Sequence, residues 1–203
     1  MSFPAPYTEL LEAIAAVYRV EDRPEGPATA QALLATPQPT PVGHEVPCPF
    51  DAQIRACLAA SQHPLAKALL AAQAFVPWGV NPVADRMTGE AAAVIAVSTL
   101  MGPDGPIVSP DYRLGLVYMA PFSYYGLHNH DADETYVLIA GAARWTAGDD
   151  IRVREAGSMV HHPSHMGHAF RTGPDGFVAL WRWSGDINTH SYAFLPDPEV
   201  GAA

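Results

Sequence analysis

The spacing of apolar residues changes period once along the chain. Over residues 7–20, Leu10, Leu11, Ile14, Val17 and Tyr18 recur at helical intervals, with Thr8 standing as a cap. Residues 27–35 predict a short second helix. Between 36 and 50, Pro37, Pro39, Pro41, Pro47 and Pro49 exclude regular helix. A third helix is predicted over 51–60, capped by Asp51 and carrying Ile54 and Leu58. His63-Pro64 opens a fourth, running to about Phe75, since proline is tolerated in a first turn. After Pro77 the signals are short apolar or alternating runs broken by Gly, Pro and Asp. They predict strands at 91–99, 113–119, 135–139, 143–146, 151–153, 159–162, 168–171 and 178–183. Many short strands between turn signals mean a sandwich or barrel. The expected architecture is mainly β: a helical extension over 1–76 packed on a β-barrel over 77–203, as one folding unit.

Composition narrows the function. The chain has 203 residues, 49% hydrophobic and 16% charged, which suits one filled core and not a disordered chain. The net charge is −10, and no Lys/Arg cluster occurs. Binding to nucleic acid or to an anionic membrane surface needs such a cluster, so neither is expected. Cys48 and Cys57 are too few for a disulfide framework, and no CxxC is present for a thiolate zinc site. The first ten residues lack the basic and apolar regions of a signal peptide. The apolar run near 91–97 is too short to span a bilayer. A cytoplasmic location is therefore expected, and the tail from 195 to 203 is expected to be loose.

Candidate chemistry is concentrated at 124–136. His128 and His130 lie two apart and share one face of a strand, and Glu134 and Tyr136 keep that parity. A lone His-x-His is more often a solvated polar face. Here Glu134 is followed by Val137, Leu138 and Ile139, which make the strand apolar on both faces. A buried carboxylate without a partner is costly, and a metal ion answers that cost. Two imidazoles and a carboxylate suit a divalent first-row metal. His168 supplies another imidazole downstream. His161, His162 and His165 either support the ligands or face solvent, and one of the adjacent pair 161–162 must point away from the barrel. His44, His63 and His190 belong to no constellation.

These residues resemble the two cupin motifs. His128, His130, Glu134 and Gly141 match the spacing of the first, and Gly157, Pro163 and His168 that of the second. Phe122 stands where the first motif has a glycine, and His165 where the second has one. With a helical N-terminal part of this length, Tyr125 before the histidines, and the segment 181–186, the chain is similar to the bacterial cupin-type dimethylsulfoniopropionate (DMSP) lyases. That resemblance implies one divalent metal ion (Zn, Fe or Mn) on His128, His130, Glu134 and His168. It implies a zwitterionic or carboxylate small-molecule substrate, eliminated to dimethyl sulfide and acrylate. Tyr125 is the first choice of base, and Tyr136 is a base, orienter or extra ligand. A sulfonium would be attracted to aromatic faces, for which Tyr118, Tyr124, Trp181, Trp183 and Trp78 are candidates. An Fe(II) dioxygenase of a small organic acid and a lyase-like cupin holding another ligand are the alternatives. A storage-type cupin is disfavoured because the ligands are retained. Cupins also pair through barrel edges, which makes a homodimer an open expectation.

Overall fold

A computed structural model describes residues 4–35, 48, 50–79, 81, 83, 86, 87, 89–197 and 199. Four helices come first: α1 (Ala5–Arg19), α2 (Glu25–Ala35), α3 (Asp51–Ala59) and α4 (Pro64–Ala72), the last continued by a 3-10 turn. Most of the proline-rich connector at 36–50 lies outside the described residues. So does much of the tail expected to be loose. Helix α1 begins earlier than expected. Its N-cap is Pro4, and Thr8 Oγ1 donates to the Pro4 carbonyl inside the first turn instead of capping. Asp51 likewise sits inside α3, after Phe50, and accepts from Arg55 Nε. His63 caps α4 by accepting from the Leu65 amide.

The β part holds β1 (Ile95–Gly102), β2 (Ile107–Val108), β3 (Arg113–Met119), β4 (Tyr124–Asn129), β5 (Asp133–Ala147), β6 (Asp150–Glu155), β7 (Met159–His162), β8 (His168–Ser184) and β9 (Ala193–Phe194). A short helix, α5 (Gly89–Ala92), takes the residues expected to start the first strand. Alanine favours helix over strand, and β1 begins only at the β-branched Ile95. Two pairs of expected short strands merge into the long β5 and β8. Strand β8 holds the barrel together. Its second half pairs with β3 and with the first half of β5, and its first half pairs with β4 and with the second half of β5. Bulges in β5 bend it around this path. At the bend Gly141 has φ 71°, and a Cβ there would lie 2.1 Å from the Gly176 carbonyl oxygen.

The two positions that depart from the cupin glycine pattern keep a glycine-like backbone. Phe122 has φ 53° and His165 φ 63°. Each left-handed residue costs of order 1–3 kcal/mol, which the surrounding structure sustains.

Alternation along the strands separates two cores. Val137, Ile139, Leu180 and Leu116 face outward and share one cluster with Leu10, Ile14, Leu58 and Leu69 of the helices. Tyr136, Leu138, Trp181, Trp183 and Val117 face inward. The helices therefore cover the back of the sheet. No described residue of α1–α4 lines the inner cavity. Val83 and Asn81, before the barrel, and Thr189 and Tyr192, after β8, border it instead. Among the described residues, no helix is long and apolar enough to cross a membrane.

Candidate metal centre and cavity

Strand β4 carries the first imidazole into the barrel. Tyr125 pairs with Phe170, and His128 with His168, so two residues on β4, Gly126 and Leu127, oppose one on β8, Ala169. This bulge reverses the parity and turns both Tyr125 and His128 inward, although strict alternation would separate them. His130 lies in the turn before β5, Glu134 near the start of β5, and His168 at the start of β8. All four side chains are buried.

Glu134 is the centre of the arrangement. Its Oε2 lies 3.3 Å from His130 Nε2, 3.2 Å from His168 Nε2 and 3.3 Å from His162 Nδ1. Its Oε1 accepts from the Trp183 indole at 2.7 Å. The ligand atoms of His130, Glu134 and His168 all lie within 4.8 Å of one another. His128 stands beside this triad, its ring 4.0 Å from that of His168 between centroids. Burial opposes ionisation of Glu134, but the surrounding imidazoles outweigh it and hold the carboxyl well below its usual range. Burial also keeps His128 neutral, with the neighbouring His168 acting in the same direction.

Hydrogen bonds assign the tautomers. Nδ1 of His128 faces the Gly126 carbonyl at 2.7 Å, that of His130 the Ala132 carbonyl at 3.0 Å, and that of His168 the Met166 carbonyl at 2.9 Å. A carbonyl only accepts, so each Nδ1 carries a hydrogen and Nε2 is the nitrogen left for a metal. His168 Nε2 has no hydrogen-bond partner. His130 and His168 turn Nε2 to Glu134 Oε2, and a cation among these atoms would take the place of a shared proton. The residues therefore fit a metal ion, with nitrogen and oxygen donors of the kind used by first-row divalent metals.

Residues 27–179 match the family profile of the dimethylsulfoniopropionate lyases. The chain belongs to the DMSP lyase family. It is 34% identical over 134 residues to DMSP lyase DddQ of Ruegeria pomeroyi, spanning 66% of this chain and 67% of that protein. The crystal structure of DddQ from Ruegeria pomeroyi DSS-3 superposes with a TM-score of 0.70 at 29% identity, covering 93% of this chain and 95% of that one. A structure from the pair of DMSP lyases RdDddP and RnDddQII superposes with a TM-score of 0.75 at 24% identity, covering 95% and 98%. The fold is that of a single cupin barrel with a helical extension.

Within this DMSP lyase fold the cavity encloses roughly 510 Å³ of atom-free space, mouth included. Apart from histidines, the charged side chains among its described lining residues are Glu134 and Arg113. Tyr125, Tyr136, Trp181 and Trp183 all border it. The Tyr125 hydroxyl is 2.6 Å from that of Tyr192, and Asn81 Nδ2 donates to it at 3.5 Å. Burial raises Tyr125 above the ordinary phenol value, and the Tyr192 hydrogen bond works against that rise. Burial also raises Tyr136, and the adjacent Glu134 charge pushes it further.

Three aromatic residues expected near substrate lie elsewhere. The Tyr118 ring packs against Phe50 on the helix side, because its position on β3 faces outward. The Tyr124 hydroxyl donates to Asp197, and Arg171 stacks on its ring. Trp78 is buried on the helix side, with its indole on Gln73. Trp183 has a more specific task than a generic aromatic wall, since its N–H holds Glu134.

The sequence reading left His162 undecided and overlooked Tyr192, Trp145 and Arg113. Parity with the buried Val160 marks His162 as inward once β7 is drawn. Tyr192 follows an irregular loop and had no periodic signal. His161 turns the other way, to Asp133 Oδ1 at 2.9 Å, and His165 is exposed, near Asp131.

Proposed function

We propose that this protein is a metal-dependent carbon–sulfur lyase that cleaves DMSP to dimethyl sulfide and acrylate. One observation carries the reading: imidazole Nε2 atoms converge on one carboxylate oxygen beside a buried pair of tyrosine hydroxyls. Family membership and the name of the DddQ relative support the substrate.

In the elimination, a base removes the proton next to the substrate carboxylate. That electron pair forms the carbon–carbon double bond, the C–S bond breaks, and dimethyl sulfide leaves with the sulfur electrons. A divalent transition metal (Zn, Fe or Mn) held by His128, His130, Glu134 and His168 would supply Lewis acidity to the carboxylate and lower nearby phenol pKa values. Tyr125 is the preferred base, because Tyr192 and Asn81 both offer hydrogen bonds that stabilise a phenolate there. Tyr136 stands beside the Glu134 charge, which disfavours its phenolate, so it suits orientation of substrate. Trp181 and Trp183 offer faces to the sulfonium. Apolar side chains such as Val97 and Val117 exclude water from the reacting carbon.

The test is headspace gas chromatography for dimethyl sulfide, using purified protein, DMSP and added Mn, Fe or Zn. Metal-dependent release is expected. Folded, metal-loaded protein that releases none would overturn the assignment.

A further inference from the structure

His162 is fully buried, and neither the ligand set nor the proposed base uses it. Its Nε2 accepts from the Trp145 indole N–H at 2.9 Å. An indole only donates, so this nitrogen carries the lone pair and the hydrogen sits on Nδ1. That is the same tautomer as in the three ligand histidines, used in the opposite sense. In them Nδ1–H is tied to a backbone carbonyl and Nε2 is left for the metal. In His162 the bare Nε2 is tied to Trp145, and Nδ1–H faces Glu134 Oε2 at 3.3 Å. The ring also stacks on His168, with centroids 4.1 Å apart and planes 20° from parallel.

We infer that His162 is a positioning residue of the metal centre, locked by Trp145 as a hydrogen-bond donor to Glu134. Glu134 then has one fixed donor on each oxygen, Trp183 on Oε1 and His162 on Oε2. The carboxylate cannot rotate out of the plane that aims Oε2 between His130 and His168. Partners of this kind typically govern metal affinity by tenfold to a hundredfold. This inference rests on the metal-centre reading above, and the experiment separates the two.

Zinc affinity is measured by competition with a chromophoric chelator, on wild type, His162→Phe, His162→Asn and Trp145→Phe. The Phe ring keeps the stacking and removes the donor, whereas the Asn amide N–H occupies the place of Nδ1–H. His162→Phe is expected to weaken zinc binding about tenfold to a hundredfold, and His162→Asn to stay within about threefold of wild type. Nitrogen NMR of ¹⁵N-histidine-labelled metal-free protein reads the tautomer directly. It should show Nδ1–H for His162 in wild type and loss of that preference in Trp145→Phe. Wild-type zinc binding by His162→Phe, equal weakening by Phe and Asn, or an Nε2–H tautomer in wild type would each overturn the inference. Should His162→Phe fail to fold by circular dichroism, the Asn and Trp145→Phe variants and the NMR assignment decide it. Absence of zinc binding in wild type sinks the metal reading instead, and the tautomer is still read without metal.

Discussion

Two buried carboxylates lie on opposite faces of the same pair of strands, and they are met differently. Thr135 pairs with Arg182 across β5 and β8, and the next pair along is Glu134 with Trp183. Thr135 and Arg182 point toward the helices, where both bond to Glu21 Oε1, at 3.0 and 2.8 Å. Glu134 and Trp183 point into the cavity and bond to each other. Glu21 meets a permanent cation, a guanidinium contributed by the fold. Glu134 meets imidazoles, two of which turn Nε2 to its Oε2. The first charge is paired within the protein and ties the helices to the barrel. The second would take its compensation from the exchangeable ion proposed above. One residue of register separates a structural ion pair from a metal site, because strand side chains alternate between faces.

The contrast can be broken most sharply on the cavity side. His130→Ala, or stripping with a chelator, should abolish dimethyl sulfide release. Re-addition of metal should restore the stripped wild type and not the variant, as measured by headspace chromatography. Tyr125→Phe should lower kcat by about 10²–10⁴-fold, the usual contribution of a positioned base, while zinc affinity stays near wild type.

On the helix side the expected loss is in stability. Arg182→Met leaves buried Glu21 with only the partly exposed Arg23 guanidinium at 3.7 Å and should cost about 3–5 kcal/mol in denaturant unfolding. The double variant Glu21→Leu with Arg182→Met should regain most of that loss, since a buried pair replaced by apolar groups is often neutral. Loss of metal binding in the folded Arg182→Met protein would contradict the separation of the two faces. The smallest effect is expected at Tyr124→Phe. Its hydroxyl bonds Asp197 outside the cavity, so stability should fall by about 1.5–3 kcal/mol with turnover unchanged.

Much of this was legible in the chain. The change of hydrophobic period marked the helical part and the barrel, because burying one face of a helix and one face of a strand needs different spacings. The run from His128 to Tyr136 exposed the chemistry, because ligands on neighbouring strand and turn positions stay close in sequence. Strand ends were less legible. The long β5 and β8 were read as pairs of short strands, since turn residues mark a bend and an end alike.

The sequence by itself determined the candidate ligand types, the barrel and the family to which the chain belongs. Tertiary structure alone decided which nitrogen of each candidate ligand histidine is left for a metal and that Trp183 holds Glu134. It also decided that His162 is a donor and that Tyr192 reaches Tyr125 across 67 residues. It moved Tyr118 and Tyr124 away from the cavity. The physical reason is common to all of these. A hydrogen-bond partner is chosen by register and bulges between strands far apart in the chain, and local spacing carries no record of that choice.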